Sequence, residues 1–220
     1  HTRTSPDPQA LADYLRYGFV PAPHSIFPGI DKLPGGCVVR VTSPTTVSEP
    51  VPYWSLASVA AAGLADPLAL DDRELVQLAD TALRASVRRR LEADVPVGTF
   101  LSGGVDSSTI AALAQAVSTQ PVRTFTVAVG GEGDESVTAA GVSRYLCPKH
   151  NLGTGHTTLP LGDLDPIDLA SRAASLYDEP FADPSGVPTA LLCAAARQHV
   201  TVCLSGDGAD ELLGGYNRYR

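Results

Sequence analysis

A glycine turn between an apolar run and a helix-forming segment limits the folds that this sequence can adopt. The turn reads Ser102-Gly103-Gly104-Val105-Asp106-Ser107-Ser108. The run before it, 95–101, is short and largely apolar, and the segment after it, 109–117, is rich in alanine without glycine or proline. This order predicts a strand, a tight turn and the start of a helix. Since glycines permit close backbone approach and helix amides attract negative charge, the turn suits an anion.

The turn lacks the lysine of an ATPase phosphate loop, which requires the pattern Gly-x-x-x-x-Gly-Lys-Ser/Thr. A carboxylate, Asp106, stands in the turn instead. We therefore expect a divalent cation to supply the positive charge that a bound phosphate needs. The alternative is an ordinary glycine turn that closes a strand–helix unit and binds nothing.

Strand-like and helix-like segments alternate from residue 95 to the end of the chain. The predicted strands are 95–101, 122–129, 156–161 and 200–204, and the predicted helices after the turn are 134–146, 165–177 and 187–199. This alternation predicts an α/β fold with a doubly wound parallel sheet. Ligands of such folds bind beyond the carboxyl ends of the strands. The loops 102–108 and 205–211 each follow a strand directly, so we expect them to meet at one edge of the sheet.

The expected meeting of the two loops would bring Asp106, Asp207 and Asp210 into one small region. Three carboxylates close together repel one another, and magnesium, which binds carboxylate and phosphate oxygens, is the natural counter-ion. The alternative is that the second loop is only a turn, with Asp210 as a helix cap.

The first 70 residues have a different pattern, with many prolines and turn signals. They predict a helix at 7–17 and short strands at 37–41 and 46–51. Two strands and a helix bury little surface alone, so 1–52 is predicted to be the tail of a larger domain or a flap on the rest. Residues 53–70 are predicted to be an alanine-rich linker.

A helix is predicted to begin at Asp71-Asp72. Leu75, Leu78 and Leu83 lie on its apolar face, and Arg88–Arg90 near its end form a solvated basic cluster, as the helix dipole prefers.

The composition argues against some classes of partner and indicates a cellular compartment. The net charge of −8 argues against nucleic acid as the main partner. No apolar run is long enough for a membrane span, and the polar first residues do not form a signal peptide. Four scattered cysteines without a C-x-x-C pair indicate reduced thiols in a cytoplasmic protein. A zinc site at Cys147, His150 and His156 is an alternative whose spacing matches no usual pattern.

Two motifs taken together carry a family resemblance. Leu101–Ser108, followed by Leu204-Ser-Gly-Asp-Gly-Ala-Asp-Glu-Leu-Leu-Gly-Gly-Tyr216, resembles the glutamine-dependent asparagine synthetase family. Tyr177–Ser185 and Leu152-Gly-Thr-Gly-His156 are also similar to family landmarks. The resemblance implies a fold of the adenine nucleotide α-hydrolase (PP-loop ATP pyrophosphatase) type. It also implies that 1–52 is a β-rich remnant of an N-terminal nucleophile glutaminase domain, 53–70 a linker, and 71–220 a synthetase domain truncated at its C-terminus.

The resemblance also implies roles for individual residues. The ATP-binding residues would be Leu101, Ser102, Gly103, Gly104, Asp106, Ser107, Ser108, Val127, Ser205 and Gly206. Asp106 and Asp210 would bind Mg²⁺, and Asp207 would move protons during ammonia attack, which makes these three aspartates the catalytic candidates. The residues that would hold the acidic substrate are Asp178, Glu179, Asp183 and Ser185.

The implied reaction is the ATP-dependent amidation of aspartate to asparagine through β-aspartyl-AMP, with release of AMP and pyrophosphate. A carboxylate resists ammonia because it is anionic and has no good leaving group, and adenylation makes AMP that leaving group. In the family, a terminal cysteine hydrolyses glutamine to supply the ammonia. This chain begins with His1 and ends at Arg220, and neither of its lysines matches the family's catalytic lysine. We therefore predict a fragment of a two-domain enzyme that is inactive alone.

The expected partners are small molecules (ATP, aspartate and ammonia from glutamine), with no nucleic acid and no membrane, and a homodimer is one expectation for the full-length protein. Two alternatives stay open at this point. One is a related ligase that adenylates another carboxylate, such as a β-lactam synthetase or a peptide cyclase. The other is a nucleotide-binding module without catalysis.

Overall fold

The computed structural model describes residues 5–128, 130–131, 134–146, 155–160, 171 and 175–219. The chain divides into two compact units, the first made of 1–70 and 167–186 and the second of 71–166 and 187–220. Within the described residues, no helix has both the length and the apolar character that crossing a membrane requires.

The first unit begins with helix α1 (Pro8–Tyr17), which confirms the helix predicted at 7–17. The Asp7 side chain accepts hydrogen bonds from the first-turn amides, and the proline after it suits the first helical position. Gly18, at a left-handed φ of 79°, ends the helix. A small apolar core forms around Ala10, Val20 and Ile26.

Four short strands follow, β1 (Cys37–Val38), β2 (Val41–Ser43), β3 (Thr46–Val47) and β4 (Val51–Pro52). β1 pairs antiparallel with β4, and β2 with β3. Each of the two predicted strands is therefore split in two. The pairing is irregular here, with a register shift between Val41 and Ser43, and the Arg40 amide donates to the Ser48 hydroxyl instead of a backbone carbonyl.

Helix α2 (Leu56–Ala65) lies within the stretch predicted to be a linker, where no helix is predicted. Its formation has a local cause, since alanine and leucine are strong helix formers and the Ser55 side chain caps the first turn by accepting from the Ser58 amide. None of its residues is buried, so local propensity and capping are its visible support.

The second unit opens with helix α3 (Asp72–Leu91), which begins with a capping box between Asp71 and Glu74. The arginines of its last turn are exposed, as predicted. Its contact with the core runs through Leu83, Val87 and Leu91. The predicted apolar face is therefore wrong in its first half: Leu75 and Leu78 are 40% and 49% exposed, since only the second half of the helix packs on this core.

The second unit contains a sheet of four strands, β5 (Val97–Phe100), β6 (Arg123–Ala128), β7 (His156–Pro160) and β8 (Val202–Leu204). The order is β7-β6-β5-β8, and all neighbouring pairs are parallel. The four predicted strands are confirmed, although the predicted ends at 129 and 161 lie outside the described residues.

Further helices of the described chain are α4 (Val105–Val117), α5 (Ser136–Leu146), α6 (Gly186–Ala196) and α7 (Ala209–Leu213), followed by a 3-10 turn at Asn217–Tyr219. The helix predicted at 165–177 falls almost wholly outside the described residues.

Helices cover both faces of the sheet. On one face, α3 and α4 pack against Val97 and Leu204, and α5 packs with α4 around Leu101. On the other face, α6 packs against Phe125 and Leu159. The predicted α/β fold with a doubly wound parallel sheet is therefore confirmed, whereas the glutaminase origin of 1–52 stays a prediction.

The strand order places a reversal between β5 and β8. The chain moves from β5 outward to β6 and β7, and then β8 pairs on the opposite side of β5. In doubly wound sheets the ligand crevice lies at such a reversal, beyond the carboxyl ends of the strands. The two predicted loops follow the two strands that flank it.

A small polar cluster lies inside the second unit, where β6, β7 and α5 meet. The buried Thr124 hydroxyl lies 2.8 Å from His156 Nδ1 and 3.3 Å from the hydroxyl of the buried Ser143. Burial, and then the positive charge of Arg144, lower the pKa of His156. The site therefore favours a neutral imidazole.

Candidate functional site

The first loop, 102–108, is ordered by its own hydroxyl groups. The Ser102 amide donates to Ser107 Oγ (3.1 Å), and the Gly104 amide donates to Ser102 Oγ (3.2 Å). Gly104 is the N-cap of α4, and no side chain caps the first turn of this helix. The first amides of a helix have no partner within the helix, so an uncapped start can bind an anion.

Gly103 is held against helix α5 and is required there for two reasons. Its φ of 89° is in the left-handed region. A Cβ at this position would lie 2.7 Å from Thr138 Cγ2 and 3.1 Å from the Ala139 amide nitrogen. The close approach of the loop to the first turn of α5 therefore needs a residue without a side chain.

The second loop, 205–211, forms a tight turn into α7. The Ser205 hydroxyl donates to Asp207 Oδ2 (2.9 Å) and accepts from the Asp207 amide (3.4 Å). Gly208, at a φ of 94°, is the N-cap of α7. This geometry holds the Asp207 carboxylate at the loop surface, where it is exposed.

The two loops touch each other at Gly206. A Cβ on this glycine would lie 2.9 Å from Asp106 Cβ and 2.9 Å from the Ser107 amide nitrogen. The contact follows from the sheet, because β5 and β8 are neighbours with Thr99 opposite Leu204. The expected meeting of the two loops is therefore confirmed, and it brings the second loop against the first turn of α4.

The two glycines that follow α7 leave room for the Asp210 side chain. Its Oδ1 lies so close to Gly215 that a side chain at 215 would collide with it. Gly214 ends the helix at a left-handed φ of 68°, and the Gly215 amide donates to the Asp210 carbonyl (3.1 Å). The absence of a side chain at Gly215 thus leaves the space that this carboxylate occupies.

The two carboxylates predicted to bind magnesium come from the two loops. Among the described residues, no group of three or more His, Cys, Asp or Glu side chains is arranged to hold a metal ion. The prediction uses only two carboxylates, Asp106 and Asp210, with phosphate oxygens completing the shell. Both are half-buried, and Asp106 is at the contact between the loops. The Asp106 carboxylate beside an uncapped helix start is a donor of the kind that a magnesium-bound phosphate needs, and the role of Asp210 as a second ligand stays a prediction.

Two buried hydroxyl groups near the first loop, those of Thr99 in β5 and Ser108 in α4, have no hydrogen-bond partner among the described residues, and Ser108 is one of the predicted phosphate ligands. A buried polar atom left unpaired costs roughly 1–3 kcal/mol, so a ligand that accepts or donates there would recover that energy.

Leu101 and Val127 are predicted to line an adenine–ribose pocket. Leu101 directly follows β5, Val127 belongs to the neighbouring β6, and their side chains lie on opposite faces of the sheet. Leu101 packs with Ala111 and Ala139, whereas Val127 packs with Phe125. The Leu101 amide donates to the Phe125 carbonyl (2.8 Å). A shared ligand would therefore meet their backbones, as predicted, rather than both side chains.

The four predicted residues for the acidic substrate belong to the first unit, whereas the two loops belong to the second. Asp183 Oδ1 accepts from the Ser185 hydroxyl (2.7 Å) and from the Ser185 amide (2.8 Å). The hydroxyl, and then the amide, lower the pKa of Asp183. Asp178 is exposed, and Glu179 forms an ion pair with Lys32.

Sequence reasoning missed three of the residues that shape these sites. Gly215 had a signal, since a glycine pair directly after a short helix predicts a turn that needs space. Thr138 and Lys32 had none, because their contacts join segments that are distant along the chain.

The zinc alternative has no support within the described residues. Cys147 and His150 lie outside them, and His156 Nδ1 is engaged with Thr124.

Comparison with known proteins gives a consistent result. A family profile described as asparagine synthase matches residues 78–220. A Methanocaldococcus jannaschii protein named "Putative asparagine synthetase 2 (glutamine-hydrolyzing)" is 34% identical over 96% of this chain and 39% of its own length. Asparagine synthetase 1 (glutamine-hydrolyzing) of Bacillus subtilis is 30% identical over 97% of this chain and 32% of its own. The fungal protein Amidase chyE of Penicillium rubens is 30% identical over 89% of this chain and 30% of its own. The chain thus spans 30–39% of the length of these relatives.

Proposed function

The chain belongs to the asparagine synthase family, and from that premise we propose that it takes part in the ATP-dependent amidation of aspartate to asparagine. The reaction would pass through β-aspartyl-AMP and release AMP and pyrophosphate. The observation that carries the proposal is the packing of Gly206 against Asp106 and Ser107, which joins the two motif loops at the strand-order reversal.

The first loop would bind the pyrophosphate part of ATP. Its uncapped helix start offers backbone amides, and the buried Ser108 hydroxyl offers an unused donor. Such donors stabilise the negative charge that develops on the leaving pyrophosphate. The pyrophosphate ligands would be Ser102, Gly103, Gly104, Ser107 and Ser108. The backbones of Leu101 and Val127 would contact the adenine and ribose, with Ser205 and Gly206 beside the α-phosphate.

Asp106 and Asp210 would hold Mg²⁺ through their carboxylate oxygens. The ion, when bound, neutralises phosphate charge and acts as a Lewis acid. Asp106 would approach from the first turn of α4, and Asp210 from the space that Gly215 leaves. The protein's own contribution is to hold two carboxylates in place without covering them.

Asp207 would manage protons when ammonia attacks the acyl-adenylate. Its carboxylate is exposed and accepts a hydrogen bond from the Ser205 hydroxyl, so it is oriented but accessible. A general base must reach the proton that it removes. The turn of the second loop satisfies the need for orientation.

The acidic substrate would be held by the segment 177–185 of the first unit. Asp178, Asp183 and Ser185 are its exposed polar residues, and Glu179 belongs to the same segment. We further propose that 1–52 is the end of a glutaminase domain, that 53–70 links it to the synthetase domain at 71–220, and that glutamine is the source of ammonia. A cytoplasmic homodimer is part of the same proposal.

Pyrophosphate exchange into ATP tests the proposal. The full-length protein that contains this chain should catalyse exchange that depends on aspartate, and Asp106→Asn should abolish most of it. Asp94→Asn, an exposed aspartate before β5, is the matched control and should leave exchange unchanged.

Exchange with another acid but not with aspartate would reassign the substrate to a related ligase. Absence of exchange with every acid, together with Mg-ATP binding that Asp106→Asn leaves intact, would favour a non-catalytic nucleotide-binding module.

A further inference from the structure

Glu179 is engaged at both oxygens of its carboxylate. Oε1 forms an ion pair with the Lys32 ammonium, and Oε2 accepts from the Ile26 amide at 3.0 Å. Its side chain is only 19% exposed. A carboxylate held in this way is in a poor position to serve as a direct ligand for a substrate that arrives from solvent.

Lys32, the partner of Glu179, also makes two interactions. Besides pairing with Glu179, its Nζ donates to the Val20 carbonyl. Val20 and Ile26 are both residues of the small core of the first unit. The network therefore runs from one core residue through Lys32 and Glu179 to another, and it joins parts of the chain that are far apart in sequence.

A backbone hydrogen bond reinforces the connection a few residues later. The Ala182 amide donates to the carbonyl of Gly18, the residue that ends α1 (2.8 Å). Residues 18–32 thus contact the segment 177–185 at two neighbouring points, one at Glu179 and one at Ala182. Asp183 and Ser185 follow the second point directly, so their backbone positions depend on it.

The environment of the pair separates it from an ordinary surface ion pair. The side chains of Arg84 and Asp80, which pair along helix α3, are 44% and 45% exposed. Exposed pairs of this kind contribute little to stability. Lys32 and Glu179 are 32% and 19% exposed, and each makes a further hydrogen bond to the backbone. Removing one partner would leave the other partly buried without its counter-charge.

We propose that Lys32 and Glu179 form a positioning pair that fixes the acid-substrate segment 177–185 on the loop 18–32. This inference rests on the proposed function, because that segment is the proposed acid-binding element. It changes the role of Glu179 from a substrate ligand to a residue that acts through Asp183 and Ser185. It also gives Lys32, in the amino-terminal part of the chain, a part in the affinity for the acid.

The test compares three variants of the full-length protein. Lys32→Met keeps most of the side-chain length and removes the charge, Lys32→Arg keeps the charge and the donors, and Arg84→Met breaks the exposed pair as a matched control. We expect Lys32→Met to raise the KM for aspartate in pyrophosphate exchange on the order of tenfold, the scale of a misplaced substrate contact. The KM for ATP should not change, and Lys32→Arg and Arg84→Met should resemble the parent.

A merely structural role would lower the amount of active protein, and therefore the maximal rate, without changing either KM. Hydrogen exchange at the Ala182 amide gives a second readout that needs no activity. Exchange there should accelerate in Lys32→Met and return toward the parent rate in Lys32→Arg.

Unchanged Ala182 exchange in Lys32→Met would overturn the inference, and so would faster exchange with an unchanged KM for aspartate. If the parent shows no acid-dependent exchange into ATP, the proposed function fails, and the amide readout then decides whether the pair fastens the segment.

Discussion

Replacing Gly206 by alanine tests the contact between the two loops directly. The added methyl group would lie 2.9 Å from Asp106 Cβ, 2.9 Å from the Ser107 amide nitrogen and 3.0 Å from the Asp106 carbonyl carbon. Two of these three atoms belong to the backbone of the first turn of α4. A flexible side chain could move aside, but this backbone cannot do so without moving the helix start.

The size of the effect follows from these distances. Comfortable carbon contacts are about 3.5–4.0 Å, so the loops must separate by roughly 0.6–1 Å. Overpacking of this kind costs about 1–3 kcal/mol in the free energy of unfolding. A displacement near 1 Å between groups that share a ligand costs on the order of a hundredfold in activity. We therefore expect both a loss of stability and a loss of Mg-ATP binding.

Gly141→Ala is the matched control for this experiment. Gly141 lies inside α5, it is exposed, and a Cβ there would meet nothing within 4 Å. The same chemical change should stabilise the protein by up to about 1 kcal/mol, because alanine favours the helix. Mg-ATP binding should not change.

Urea unfolding followed by circular dichroism and calorimetric titration with Mg-ATP would measure the two effects. Fluorescence is unsuited to the stability measurement, since the single tryptophan, Trp54, belongs to the first unit. If Gly206→Ala bound Mg-ATP as tightly as the parent and unfolded at the same urea concentration, the two loops could not be in the contact described, and the basis of the proposed site would be lost.

Three further predictions concern the same unit. Gly215→Ala should displace the Asp210 carboxylate and weaken Mg-ATP binding in calorimetry, and unchanged binding would remove Asp210 from the metal site. Ser107→Ala removes the acceptor of the Ser102 amide and should weaken nucleotide binding by about fivefold, since one hydrogen bond contributes about 1 kcal/mol. The pKa of His156 is lowered in the fold, so its stabilising effect should be complete above its ordinary value of 6.5 and disappear as the pH falls through the folded pKa. His156→Gln should flatten this acid-side loss in urea titrations, and an unchanged pH profile would contradict the assignment.

The part of the structure that the sequence could predict is the part set by local pattern and by the rules of parallel sheets. β5, β6 and β8 lie in largely apolar segments that are followed by a turn or helix signal, whereas β7 is mostly polar. Parallel strands end at the same edge, so the meeting of the loops 102–108 and 205–211 required no knowledge of the distances. The glycines of those loops then followed from the close approach of backbones.

The parts that could not be predicted depend on contacts between distant segments. Periodicity shows that Leu75 and Leu78 lie on one helix face, but it does not show which part of that face finds a partner. An alanine-rich stretch between two regions is typical of both a linker and a helix, and Ser55 as a cap was the overlooked signal for α2. The pairing of Lys32 with Glu179 could not be predicted, because no local sequence pattern indicates that these two distant residues are in contact.

The adjacency of β5 and β8 has a consequence for how the protein matures during synthesis. One edge of β5 pairs with β6, but on its other edge residues 97–99 pair with 202–204, so this second edge stays unpaired until β8 has left the ribosome. Until then the edge of β5 is open to wrong partners, and nascent chains with unpaired edges are prone to association. We expect that a nascent chain halted before residue 202 would not bind ATP. ATP binding by ribosome-bound chains would therefore report that the sheet is complete.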